Sequence, residues 1–256
     1  MAYTKLISRH TTGASVEEIS LAEKYRLVIP AGSATQYRLA QLDDYTKIPR
    51  NRFPLRPPLT ISLSARASSE SIPGTWGFGL WNDPFGLSLG FGGNPFRLPA
   101  LPNAVWFFGA SEENYLSFGS RVVEGVSRLP ANGFFAQTFR SPKFHLSSIL
   151  AGLALPFSRK MARRLLGKII DEDGIRLGVD VTQWHKYKLD WREERVSFEV
   201  DNVQVFESPG SPNPPLGLVI WIDNQYAAFT PEGKIGFGVL ENPKPAWLEI
   251  DEVTVS

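Results

Sequence analysis

The sequence predicts an all-β sandwich with a short helical insertion. Three observations carry that expectation. Apolar residues recur at every second position through much of the chain, the period of half-buried strands. Glycine (22) and proline (20) are frequent, as many short strands joined by tight turns require. The period changes to a helical one only between Ser141 and Asp173. At 256 residues, 43% hydrophobic and 21% charged, the chain can bury a sizeable core. Sandwiches of this size count as one domain, here residues 1–256 with the insertion at about 141–173.

Taken in order, Tyr25, Leu27 and Ile29 alternate, then Tyr37, Leu39 and Gln41, then Leu59, Ile61, Leu63 and Ala65. Ile48 to Pro58 holds four prolines and reads as a loop, because proline cannot donate to a sheet ladder. Gly74 to Gly86 is dense in aromatics and glycine. Phe85 to Pro102 is unusually apolar for a loop, with Arg97 its single charge, and the strand Ala104-Val-Trp-Phe-Phe follows. In the insertion, Ser158 is a helix cap, and Ala162, Leu165, Leu166 and Ile169 recur at helical spacing. A helix over 158–169 is expected to turn Leu165, Leu166 and Ile169 to the sandwich and Lys160, Arg163 and Arg164 to solvent. With Arg159 and Lys168, residues 158–170 carry +5 and no acid. Strands resume at Trp184. Val196, Phe198 and Val200 alternate, Asp201-Asn202 makes a two-residue turn, and Val203 and Val205 return. Leu216, Leu218 and Ile220 alternate next, then Ile235, Phe237 and Val239, and Ile250, Val253 and Val255 close the chain. Trp191 and Trp247 read as core.

Several function classes are disfavoured. A formal net charge of +1 gives no global pull toward nucleic acid. The absence of cysteine excludes disulfides and thiolate metal sites. His10, His145 and His185 are too scattered for a zinc site. No Gly-x-Ser-x-Gly elbow occurs, and Gly90-Phe-Gly-Gly-Asn lacks the Lys-Ser/Thr of a phosphate loop. No stretch is long and apolar enough for a membrane span. Met1 to Glu18 lacks a signal-peptide core, which points to the cytoplasm, or to secretion if a leader has been removed.

Four segments resemble the family-16 glycoside hydrolases of the concanavalin A-like lectin/glucanase superfamily. Trp184-His-Lys-Tyr-Lys-Leu-Asp-Trp191 resembles that family's Trp-His-x-Tyr-x-x-x-Trp strand. Phe198-Glu-Val-Asp-Asn202 is similar to its Phe-Tyr-Val-Asp-Gly hairpin, and Ile250-Asp-Glu-Val-Thr-Val255 to its closing strand. Gly74-Thr-Trp-Gly-Phe-Gly-Leu-Trp81 stands where the family has Gly-x-Trp-Pro-Ala-Phe-Trp. The resemblance covers roughly residues 55–256 and leaves the helical insertion unmatched. It implies a jelly roll of two curved antiparallel sheets with a glycan cleft on the concave face.

It also implies where catalysis would reside. The family carries Glu-x-Asp-x-(x)-Glu on a concave-face strand, where alternate side chains share a face and set two carboxyls ~5–5.5 Å apart for retaining hydrolysis. Here that strand is Asn103 to Gly109, and it has no carboxylate. Glu112 and Glu113 follow it as weak candidates for displaced catalysts. A non-catalytic glycan-binding protein is therefore expected, with the concave cleft as its site. Trp81, Trp106, Trp221 and Tyr226 are the candidate stacking aromatics, and Asn82, Asp83, Asp223 and Asn224 the candidate hydrogen-bonding groups. Tryptophan is also a core residue, and either role fits each one singly. If they stack on ligand, Trp106→Ala or Trp221→Ala weakens binding and shifts the melting temperature only a few degrees.

Two alternatives stay open. One is a binding protein or non-hydrolytic enzyme for an apolar or amphipathic small molecule, lidded by the 85–101 loop and the 144–170 insertion. In that reading the basic face of 158–170 can also touch anionic lipid. The other is a glycosidase with relocated carboxylates. No cofactor is expected. Asp43-Asp44, Asp171-Glu-Asp173 and Asp223-Asn224 offer oxygens for calcium, but read first as solvated turns.

Overall fold

The computed structural model describes residues 6–20, 24–84, 100–118, 131–142 and 158–256, with two short strands between 122 and 127. Two antiparallel sheets of seven strands each are packed face to face. In spatial order the first is β1 (Ile7–His10), β4 (Leu39–Asp43), β15 (Gly217–Asp223), β6 (Thr75–Trp81), β7 (Ala104–Ala110), β10 (Gly133–Arg140) and β11 (Asp171–Arg176). The second is β14 (Val203–Ser208), β13 (Val196–Val200), β12 (His185–Trp191), β5 (Leu59–Ala67), β18 (Ala246–Val255), β3 (Lys24–Ile29) and β2 (Ser15–Ser20). Two hairpins stand apart, β8 (Val122–Val123) with β9 (Val126–Ser127), and β16 (Gln225–Phe229) with β17 (Ile235–Val239). This is a two-sheet antiparallel β-sandwich, as the sequence predicts.

The alternation read from the sequence is the inward-facing set of the second sheet. Leu27, Ile29, Ile61, Leu63, Leu189, Trp191, Phe198, Leu248 and Ile250 meet Leu42, Phe78, Leu80, Val105, Phe107, Phe134, Leu218 and Ile220 of the first. The turn at Asp201-Asn202 forms as expected, both residues having positive φ (51° and 65°), which matches the twist of the flanking strands.

The first sheet behaves differently, because both its faces are covered. All seven residues of β7 are buried, as are those of β15. Its second face carries a further apolar cluster of Leu39, Tyr45, Phe53, Trp106, Phe108, Phe135, Phe139, Val219 and Trp221. That explains why Ala104 to Ala110 reads as an unbroken apolar run rather than an alternating one.

Three sequence expectations need correction. Trp247 is not core. It is half-buried on the outer face of β18, beneath the Arg26 guanidinium 4.7 Å away. The alternation at Ile235, Phe237 and Val239 is a real strand, but it pairs only with β16, outside the sandwich, so Ile235 and Phe237 stay exposed. The insertion also ends sooner than predicted, since Asp171 already begins β11, the edge strand beside β10.

The helix α1 (Arg159–Ile169) forms as predicted, with Ser158 Oγ accepting from the Met161 amide at 3.3 Å. Ala162 and Ile169 are buried, and Leu166 packs against the second cluster. Lys160 and Arg164 are exposed as expected, but Arg163 turns inward and is buried. Its guanidinium donates to the carbonyls of Ser117 (2.6 Å), Phe118 (3.3 Å) and Phe229. The physical reason is the need of those carbonyls, on buried Ser117 and half-buried Phe118 and Phe229, for donors, which the long arginine side chain meets. Burial lowers the Arg163 pKa from its ordinary value.

Candidate functional site

Strand register lays out the covered face of the first sheet. One row across it reads Asp43, Val219, Gly79, Trp106, Gln137 and Gly174. The next reads Gln41, Trp221, Gly77, Phe108 and Phe135. The two glycines make room for the neighbouring indoles. A Cβ at Gly79 would lie 2.5 Å from the Trp106 Cα, and one at Gly77 3.0 Å from the Trp221 ring.

Trp81, Trp106 and Trp221 do come together, as the sequence reading requires. Their ring centroids are 6.0 Å (Trp81–Trp106), 6.2 Å (Trp81–Trp221) and 5.8 Å (Trp106–Trp221) apart. The face above them is closed, however. Trp106 is only 5% exposed and Trp221 7%, and Trp81 at the edge is half-buried. Part of the cover is Leu101 and Phe118, which pack on this cluster together with Leu166 of α1. Residues 85–99 and 143–157, which hold most of the expected lid, lie outside the described residues.

The polar groups of this face are engaged with one another. Trp106 Nε1 donates to Gln137 Oε1 (3.2 Å), and Gln137 Nε2 donates to Glu172 Oε1 (2.7 Å). The other Glu172 oxygen accepts from the Phe118 amide at 2.6 Å. Trp221 Nε1 donates to Thr75 Oγ1 (3.0 Å), and Gln41 Nε2 to Asp43 Oδ2 (2.8 Å). Asp223 accepts from Thr75 (2.8 Å through its hydroxyl), the Gln225 amide (3.2 Å) and Tyr37 (3.2 Å). Burial pushes the Asp223 pKa up to about 6 against the pull of those donors.

The remaining predicted residues serve the scaffold. Asn82 is buried, donating to the Leu101 carbonyl (2.9 Å) and accepting from the Asn103 amide (3.0 Å), so it ties the end of β6 to the start of β7. Asp83 is buried at φ 47°, with its carbonyl accepting from Arg50 at 2.6 Å. Asn224 is fully buried, accepting from the Arg38 amide (2.8 Å) and donating to the Gln36 (3.1 Å) and Leu240 (2.8 Å) carbonyls. Tyr226 is half-buried on β16, with its ring against Gly238. The sequence marked these polar residues because they flank tryptophans. It could not show that the Asn82 and Asn224 amides already hold hydrogen bonds within the scaffold.

For the relocated-carboxylate reading, Glu112 and Glu113 are both exposed in the turn after β7. Asp43, Asp223 and Glu172 do lie on the covered face, but far apart. Five strand spacings between β4 and β11 separate Asp43 from Glu172 by roughly 20 Å. Asp223 pairs with Leu39, four residues from Asp43, or ~13 Å along the strand. Glycosidic carboxyls work at ~5–5.5 Å or ~6.5–9.5 Å. Among the described residues no three His, Cys, Asp or Glu side chains converge as a metal site.

A second concavity lies beside α1 and was not anticipated in detail. It is a hollow of about 610 Å³ lined by the apolar Phe118, Met161, Leu165 and Pro231 and by the cations Lys160, Arg163, Arg164 and Lys168, with Glu232. The three exposed cations, Lys160, Arg164 and Lys168, recur every four residues, so they form one stripe along the helix. None of them makes an ion pair among the described residues. The stripe was legible in the sequence; the hollow required the turn at 230–234 to fold against the helix start. That packing is close, since a Cβ at Gly233 would lie 2.7 Å from the Lys160 amide nitrogen.

The fold is a two-sheet antiparallel β-sandwich. Among solved structures, LamAcat from Zobellia galactanivorans aligns with 91% of this chain and 76% of its own at 15% identity and a TM-score of 0.48. The β-glucanase of Bacillus licheniformis aligns over 96% and 90% at 12% identity and 0.48. A family-16 glycoside hydrolase of the Bacteroides ovatus mixed-linkage glucan locus, in complex with a G4G4G3G product, aligns over 98% and 94% at 12% identity and 0.47. No protein-family model matches the chain, and no curated protein matches it in sequence. Among the described residues no helix is long and apolar enough to cross a membrane.

Proposed function

We propose that this protein is a non-hydrolytic binding protein whose ligand is an amphipathic anion held in the hollow beside α1. The carrying observation is the hollow itself. Its volume lies in the range of small-molecule sites, ~300–1,000 Å³. Its lining joins an apolar wall to three cations that form no ion pair among the described residues. Like charges sharing a concavity repel one another, and an anionic head group relieves that repulsion, while Phe118, Met161 and Leu165 accept an apolar body. A non-hydrolytic role is supported by β7, whose side chains on the covered face are Ala104, Trp106, Phe108 and Ala110, none a carboxylate.

Titration calorimetry with monomeric dodecyl phosphate tests this. Binding is expected, and Arg164→Gln with Lys168→Gln should weaken it by roughly 2 kcal/mol, or ~30-fold, at about 1 kcal/mol per charge. Binding that is absent, or indifferent to both substitutions, refutes the proposal.

An oligosaccharide reading retains one observation in its favour. Trp81 is half-buried at the edge of the indole cluster and lies parallel to Trp221, at 3° between ring planes, and aromatic rings of this kind also stack on sugars. A glycan panel with the parent and Trp81→Ala decides it. Binding lost in that variant would support a glycan site there.

A further inference from the structure

We infer that the hollow is loaded at the surface of an anionic bilayer, with α1 as the docking face; this rests on the amphipathic-anion reading above. The surface around the hollow combines two features that a membrane interface accepts together. The first is exposed apolar side chains. Met161 on α1 is 54% exposed, and on β17, which leaves the turn packed on the helix start, Ile235 is 39% and Phe237 51% exposed. The second is charge. Lys160, Arg163, Arg164 and Lys168 line the hollow with Glu232, and Arg159 and Lys234 adjoin them in the chain. These residues together carry +5, so the rest of a chain whose formal net charge is +1 carries −4. A charge distribution so divided turns this end toward an anionic surface.

The helix start points the same way. Arg159 and Lys160 occupy the first turn, which has no acidic residue. Cations there oppose the positive end of the helix dipole, and a nearby layer of anionic head groups compensates both. An acidic polysaccharide would satisfy the charges but would leave Met161, Ile235 and Phe237 in water. A bilayer takes both, since basic residues sit at the head groups while apolar ones enter the acyl boundary.

The experiment is co-sedimentation of the whole protein with vesicles of phosphatidylcholine alone or mixed with phosphatidylserine. Binding is expected only to the mixed vesicles and should fall as added salt shortens the screening length. Lys160→Gln, Arg164→Gln and Lys168→Gln together should weaken it about 100-fold, at about fivefold per charge. All three side chains are exposed, and an unchanged melting temperature shows that the variant folds. Ile235→Ser lies outside the hollow, so it should reduce vesicle binding while leaving dodecyl phosphate binding intact. If dodecyl phosphate binds but the mixed vesicles do not, the inference falls and the hollow stands. If vesicles bind and dodecyl phosphate does not, the hollow falls and takes this inference with it. Vesicle binding that ignores the charge variant overturns the docking face, as does equal binding to soluble polygalacturonate with the same sensitivity.

Discussion

Trp106 offers the sharpest test of the covered face. Its ring lies 4.9 Å from Phe108, 5.8 Å from Trp221, and 6.0 Å from both Trp81 and Phe139. It is 5% exposed, and its Nε1 donates to Gln137 Oε1. Trp106→Ala removes a buried indole, a change worth ~3–5 kcal/mol in a core that collapses only partly. It also takes the donor from Gln137, at ~1–3 kcal/mol for a buried acceptor left unpaired. The combined loss of roughly 4–8 kcal/mol rivals the whole stability of an ordinary domain, ~5–15 kcal/mol. At ~2–4 °C per kcal/mol for a chain of this size, the melting temperature should drop by about 8–32 °C. Thermal and urea denaturation of the parent, Trp106→Ala and Trp106→Phe measure it. Trp106→Phe keeps a ring and should lose much less. A Trp106→Ala midpoint within a few degrees of the parent would refute the reasoning and return Trp106 to the role of a ligand platform.

Further outcomes are expected. Asp44 is buried, its Oδ2 lacks a hydrogen-bond partner among the described residues, and burial raises its pKa from 3.8 to about 7. The folded state therefore keeps a proton that the unfolded state releases, so stability is full below about pH 4 and declines as pH rises through 7, by roughly 4 kcal/mol from this group. Asp44→Asn, which still accepts from the Leu218 amide, should flatten that decline; a stability-against-pH curve parallel to the parent's would contradict it. Arg163→Met strips the donors from three carbonyls and should destabilise the protein by roughly 3 kcal/mol or more, read as loss of α1 helicity and a lower urea midpoint. Unchanged helicity would show that the clamp does not hold the helix. Assays on β-1,3, β-1,4 and mixed-linkage glucans should show no reducing-sugar release; release abolished by Glu112→Gln or Glu113→Gln would overturn this and point to a displaced catalytic carboxylate.

Much of the architecture was open to reading in the sequence because strand period is local. Period-two alternation is a property of one segment, so Ile61, Leu63 and Ala65 announced their inward face without knowledge of the partner strand. The hairpin at Asp201-Asn202 and the Ser158 cap were equally local, each depending on a few consecutive residues. The first sheet was harder. A strand buried on both faces loses its alternation, and β10 passed unrecognised for that reason, β11 because it abuts the insertion.

Chain order and residue type alone determined that the protein is built of strands and that Asn103 to Gly109 holds no carboxylate; the family resemblance implied that this is the strand where the family carries them and that Trp81, Trp106 and Trp221 share one cleft. Only the tertiary structure decided what those residues face. Whether an indole is a floor or a filler depends on what packs above it, and that cover comes from Leu101, Phe118 and Leu166, distant in sequence from one another. Arg163 shows the same principle from the other side. Helical spacing placed it on the basic stripe, but the carbonyls of Ser117, Phe118 and Phe229 drew it inward, because a buried acceptor without a donor costs more than burying a hydrogen-bonded guanidinium.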